Sequence, residues 1–230
     1  MNKAADMNDE VRAAYEKYFF TPCKNSDVVT ISRLTVREGR LVVSDAVLYF
    51  DTDTLPYTQT VPVGEYEVRA CILHTEFATR IMAVAVSFSD KPPVSFALAT
   101  DGTEDPASIS EDALIGVCVD VGIAAIADTA AQREYCKFKD DWCAKHSGGN
   151  FYIDCILELF ERSYEADPVH QRQGGDFIDL KIPGTDMHIP MFSTGWEDGY
   201  YPVYWGYSED GQLASLVITF IDPSELDEEL

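Results

Sequence analysis

Basic residues are scarce in this chain: 17 Lys and Arg stand against 40 Asp and Glu among 230 residues, a formal charge of −23 at pH 7. A field of that sign repels phosphate backbones and anionic lipid headgroups, and it draws in cations and basic proteins. Neither nucleic acid nor a membrane is therefore expected as a partner, whereas a basic protein is. Long apolar runs are missing as well. No stretch approaches the ~18 residues that a membrane span needs, and the N-terminal region holds no apolar core of signal-peptide length. A reducing cytoplasm is the expected compartment.

Paired cysteines are also lacking. Cys23, Cys71, Cys118, Cys136, Cys143 and Cys155 are spread along the chain without a CxxC pair, so zinc-ribbon and thioredoxin spacings are absent. Cys71 and Cys118 lie in apolar strand-like runs and are expected as buried thiols. The sequence has no HExxH, GxSxG, Walker-type or dinucleotide glycine pattern. None of the four histidines, His74, His146, His170 and His188, sits in a catalytic signature, and no cofactor or metal is expected.

What the chain has in quantity is apolar and aromatic surface. Hydrophobic residues make up 46% and aromatics 12%, enough to build a continuous core. One domain over 1–230 is expected, with residues 1–27 forming an N-terminal helix and its lead-in and 223–230 an acidic tail. Val11, Ala14, Tyr15, Tyr18 and Phe19 recur at helical spacing, and Thr21-Pro22 closes that helix. The β-branched runs 28–36 and 40–50, around Glu38-Gly39, read as a hairpin. Strands follow over 66–74, 80–89 and 94–100. The middle one is apolar on both alternating faces, which predicts a central strand. Residues 101–112 read as an exposed acidic loop. A strand through Cys118 or Val119 bends at residues 120–122 into a second apolar segment, a buried helix start being the other option. Asp128-Thr129 is a good N-cap for a helix over 130–146, Ser147-Gly148-Gly149 stops it, and a second helical run covers 152–164. Residues 165–175 read as the least structured interior segment. Strands at 177–182 and 187–192 lead into the densest stretch, 193–220. The predicted fold is α+β: a twisted, mainly antiparallel sheet with the two helices of 130–164 packed on one face and a short N-terminal helix.

That last stretch, STGWEDGYYPVYWGYSEDGQLASLVITF, is read as a loop feeding a hairpin, with tight turns at Asp198-Gly199 and Asp210-Gly211. Strand alternation sends half of Trp196, Tyr200, Tyr201, Tyr204 and Trp205 inward and half outward. The outward half, with Glu197 and Asp198, would make a protein-binding patch, because Trp and Tyr are enriched in hot spots. A second constellation is Asp45, Asp120, Asp128 and Asp198, each at a strand end or turn. Brought together, four carboxylates could hold a divalent ion or activate water. Singly, an aspartate beside a turn or helix start caps it through a side-chain oxygen.

With these residues in view, the chain resembles a bacterial family known only as a domain of unknown function (DUF4241-like). The resemblance rests on Gly39-Arg40-Leu41-Val42-Val43-Ser44-Asp45, on Val61 to Val68, on Arg80 with Ala83 and Phe88, on Gly116 to Gly122 with Asp128, and most specifically on Gly195 to Gly206. In that last block Glu197 stands where the family more usually has glycine. The resemblance implies a β-rich domain without an established activity, and its association with secreted toxin systems implies an immunity protein of toxin–antitoxin type. The expectation is therefore a stoichiometric binder of a basic toxin. The alternative is a metal-assisted hydrolase using Asp45, Asp120, Asp128 and Asp198.

Overall fold

The helical stripe near the N-terminus forms α1 (Lys3–Phe19), which ends where the Thr21 N–H and hydroxyl both turn back to the Glu16 carbonyl. The computed structural model describes residues 3–76, 79–103 and 115–226. Among the described residues twelve strands follow α1: β1 (Ser26–Val36), β2 (Leu41–Asp45), β3 (Gly64–His74), β4 (Thr79–Ser87), β5 (Ser95–Leu98), β6 (Val117–Val119), β7 (Ile123–Asp128), β8 (Phe177–Lys181), β9 (His188–Ser193), β10 (Gly199–Tyr201), β11 (Val203–Tyr207) and β12 (Leu213–Thr219). Between β7 and β8 run α2 (Thr129–Lys145), one π-helical turn (Tyr152–Ile156) and α3 (Leu157–Ala166), and α4 (Pro223–Leu226) follows β12.

The fold is α+β and every strand pair is antiparallel, but the strands form two sheets and a ribbon rather than one sheet. Six strands join in the order β1-β3-β4-β12-β11-β5, four in the order β2-β7-β9-β8, and β10 pairs with β6. The expected hairpin across Glu38-Gly39 does not form. Strand β1 pairs with β3, and β2, which stops at Asp45, pairs with β7. The chain changes sheets at Gly39, whose φ of +75° and near contact with the Val61 carbonyl leave no room for a side chain. Strand β4 is central as read, with Ile81 to Val86 all buried.

Alternation along the strands sets the layers. On one face of the large sheet lies α1: the Tyr15 ring is 5.2 Å from Phe96, and the Arg69 guanidinium is 5.6 Å from the Phe19 ring. The other face of that sheet shares its core with Leu41, Val43, Ala124, Ile126 and Phe192 of the small sheet. The alternate residues of the small sheet, including Val42, Ala125, Ile178 and Met191, enclose a second cluster with Tyr135 of α2 and Phe160 of α3. Tyr135 is fully buried and satisfies its hydroxyl by donating to the Ala46 carbonyl.

Two further expectations change. Residues 165–175 are held in place by buried Gln171. Its amide donates to the Ser163 carbonyl, and its carbonyl accepts the N–H groups of Asp176 and Phe177. Cys71 is buried as read, whereas Cys118 is partly exposed, because the short ribbon turns it outward beside Tyr200. Most of the expected acidic loop 101–112, and residues 227–230 of the expected tail, lie outside the described residues.

Candidate functional site

The four aspartates do not form one cluster, because Asp128 lies at the opposite end of the β2–β7 ladder from Asp45. Asp45 closes β2 and is fully buried. Its Oδ1 accepts the N–H groups of Val47 and Leu48 at 2.8 Å each, and its Oδ2 accepts those of Asp120 and Val121 at 2.9 and 3.0 Å. One carboxylate thus fixes both the turn after β2 and the bend between β6 and β7. Asp128 does the same work at the other end of the ladder. Its Oδ1 caps α2 at the Ala130 N–H, and its Oδ2 takes the N–H groups of Glu38 and Gly39, which is what holds the sheet-changing turn.

Registers Leu41↔Asp128 and Asp45↔Ala124 set these two aspartates four residues apart along β2–β7, roughly 13 Å at the usual strand rise. Asp120 is exposed and accepts the Tyr49 phenol, a hydrogen bond that pushes the phenol up to about 12. Asp198 is exposed in the loop before β10. The Gly199↔Val119 register sets Asp198 at the position opposite Asp120, so Asp120 lies next to both Asp45 and Asp198, and Asp128 stands apart at the far end of β2–β7. Among the described residues no group of three or more His, Cys, Asp or Glu side chains is arranged to hold a metal ion.

The aromatic stretch is more informative. Its turn falls earlier than read: the Glu197 N–H closes on the Thr194 carbonyl at 2.7 Å, and Gly199 already begins a strand. Gly195 sits buried at the centre of this turn, where a Cβ would be 2.7 Å from the Cβ of Phe220. Glu197 takes a φ of +82°, a left-handed conformation that favours glycine, the residue the family resemblance places there. Tyr201 locks the turn by donating from one hydroxyl to the carbonyls of Thr194 and Glu197, both at 3.0 Å.

Pro202 divides the expected strand. Lacking an N–H, it separates β10, which pairs with β6, from β11, which pairs with β12 and β5. Alternation nonetheless keeps its phase across Pro202, with Tyr201, Val203 and Trp205 buried and Tyr200 exposed. Tyr201 (7% exposed) packs on Phe220, and Trp205 (3%) packs between Tyr57 and Phe88, so these two belong to the core and not to a binding surface. Trp196 (56%) and Tyr200 (51%) face solvent, and Tyr204 is half-buried. Glu197 and Asp198 are exposed. Arg80 braces the turn, with its guanidinium 5.7 Å from the Trp196 ring centre and 3.7 Å from Glu197, while Arg172 reaches Glu197 at 3.1 Å.

Beside these rings is a groove of about 410 Å³. Trp196, Tyr200, Pro202 and Tyr204 form one side, and Val11, Ala14 and Tyr18 of α1 the other. Glu10 and Asp222 also line it, and no Lys or Arg does. Burial, and behind it Asp222, pushes the Tyr18 phenol up; burial, and behind it Glu10, does the same to Tyr204. The α1 wall was legible as a helical stripe, but not as the partner of residues nearly two hundred positions away. Tyr18 shows the link directly, donating to the Ile221 carbonyl at 2.9 Å.

Comparison with curated proteins and with solved structures finds no match. The family model described as protein of unknown function (DUF4241) matches residues 34–218, which takes in the aspartate turns and the aromatic hairpin, and the chain belongs to that family.

Proposed function

We propose that this chain is an immunity-type protein that neutralises a cognate toxin in a bacterial cytoplasm by stoichiometric binding through its acidic, aromatic face. The observation that carries this reading is the exposure of Trp196 and Tyr200 beside a groove lined by Glu10 and Asp222, in a chain of charge −23. Exposed Trp and Tyr next to a recess supply the anchor of a protein interface, and a surrounding field of one sign speeds encounter with a partner of the other. The partner is accordingly a basic protein.

The metal-assisted hydrolase alternative draws less support. Asp45 and Asp128 spend both carboxylate oxygens on backbone N–H groups that turn the chain, a use that leaves them little capacity to hold an ion or move a proton.

Calorimetry between this protein and the product of the adjacent reading frame, at two salt concentrations, tests the proposal. One-to-one binding that weakens as salt rises is the expected result. Absence of binding, or an affinity indifferent to salt, would overturn it.

A further inference from the structure

The groove has a chemistry more selective than exposed aromatic surface alone. Aromatic faces carry negative potential, and a cation seated against Trp or Tyr is attracted by the ring quadrupole. Trp196, Tyr200, Tyr204 and Tyr18 line the groove, and Glu10 and Asp222 place two carboxylates in the same lining. No ion pair among the described residues engages either carboxylate. Asp222 uses one oxygen to cap α4, with Oδ1 accepting the Ser224 N–H at 2.7 Å, and Glu10 is exposed on α1. Burial first, and behind it Asp222 and Glu10, pushes the Tyr18 and Tyr204 phenols up, so both acids lie near enough to act on the lining. Arg80 already sits against the Trp196 ring, which holds the indole in place within the fold.

From this arrangement we infer that the groove receives an arginine side chain presented by a basic partner protein. A guanidinium is planar, so it can lie against a tyrosine or tryptophan ring while its edge donates to a carboxylate. An ammonium is a compact, strongly hydrated charge that uses the rings less well. The volume of about 410 Å³ suits a side chain rather than a folded element. The inference rests on the neutralisation reading for the identity of the partner, but not for the chemistry of the groove.

The test uses the Trp196 indole N–H signal in ¹⁵N spectra of the full chain, titrated with a short Gly-Ser peptide carrying a central Arg-Gly-Arg. Lysine and glutamine versions of the peptide, and free arginine amide, serve as comparisons. The expected result is a saturable shift with the arginine peptide, weaker binding of the lysine peptide and free arginine amide, and none of the glutamine peptide. Glu10→Gln and Asp222→Asn should each weaken the arginine peptide about fivefold, the size of one partly exposed charge pair. Both variants should fold, because Glu10 is exposed on its helix and asparagine also caps helices. An equal shift with the glutamine peptide, tighter binding of free arginine amide than of the peptide, or unchanged affinity in both variants would overturn the inference.

The two proposals separate cleanly. If the adjacent-frame product binds the wild type and both variants equally, the groove inference fails and neutralisation stands. If the peptide behaves as expected and no such protein binds, the reverse holds.

Discussion

Asp45 and Asp120 meet through the backbone: Oδ2 of Asp45 accepts the Asp120 N–H at 2.9 Å, while the Asp120 carboxylate is taken up by the phenol of Tyr49. Their proximity is that of a strut and the turn it supports. Asp45→Ala would leave four N–H groups without their acceptor, and it is expected to lower stability by about 3 kcal/mol in a urea titration. Asp120→Asn should change stability by less than about 0.5 kcal/mol, the usual size for an exposed position. Titration with Mg²⁺, Ca²⁺ or Mn²⁺ should leave the Tm unchanged. A rise in Tm that Asp120→Asn removes would restore the hydrolase reading.

The exposed rings and the buried ones should separate by readout. Trp205→Ala removes a ring packed between Tyr57 and Phe88 and should cost about 3–5 kcal/mol of stability. Trp196→Ala and Tyr200→Ala should cost less than about 1 kcal/mol while weakening the partner at least tenfold, as interface anchors do. Denaturant unfolding and calorimetry on the same three variants check both halves.

Glu197 offers a test of backbone strain. Its φ of +82° costs a non-glycine residue about 1 kcal/mol, and its carboxylate offsets part of that by meeting Arg172 and Arg80. Glu197→Ala loses the ion pairs and keeps the strain, whereas Glu197→Gly loses both. The glycine variant should therefore be the more stable of the two by about 1 kcal/mol in thermal or urea unfolding. Equal stability would mean that the turn relaxes around alanine.

Acid should weaken the contact that ties the Glu38 turn to α2. Hydrogen bonds from Arg133 and Thr129 hold the Glu38 carboxyl at about 2, below its usual 4.5. A carboxyl depressed on folding stabilises the native state above its unfolded value and ceases to do so as pH falls through the folded one. The gap in Tm between wild type and Glu38→Gln should thus be full at pH 5 and close as pH falls toward 2. Because the pair is exposed, 1 M salt should narrow it at pH 5.

Much of this architecture was legible in the chain because it depends on local pattern. The two-sided apolarity of residues 81–86, the stripe on α1, the cap at Asp128 and the Asp210-Gly211 hairpin each follow from side-chain periodicity or from one residue's hydrogen bonds. The failures share a different cause. The Glu38-Gly39 hairpin had good local chemistry, yet Asp128 captured the turn from 89 positions away and sent the two strands into different sheets. In the 165–175 segment, buried Gln171 supplied contacts that a polar, glycine-containing run gives no hint of.

The candidate site divides along the same line. Composition and charge alone determined that the surface is strongly acidic, and the 193–220 stretch alone determined that aromatic strand residues cluster near its loop. Which rings reach solvent was decided by tertiary structure. Alternation holds its phase across Pro202, and it is the packing of Tyr201 on Phe220 and of Trp205 between Tyr57 and Phe88 that makes the odd-numbered side the inner one and leaves Tyr200 outside. The groove itself exists only because α1 packs across the far end of the chain. Apolar burial is non-directional and can join any two complementary stripes, so no local pattern in either segment names the other.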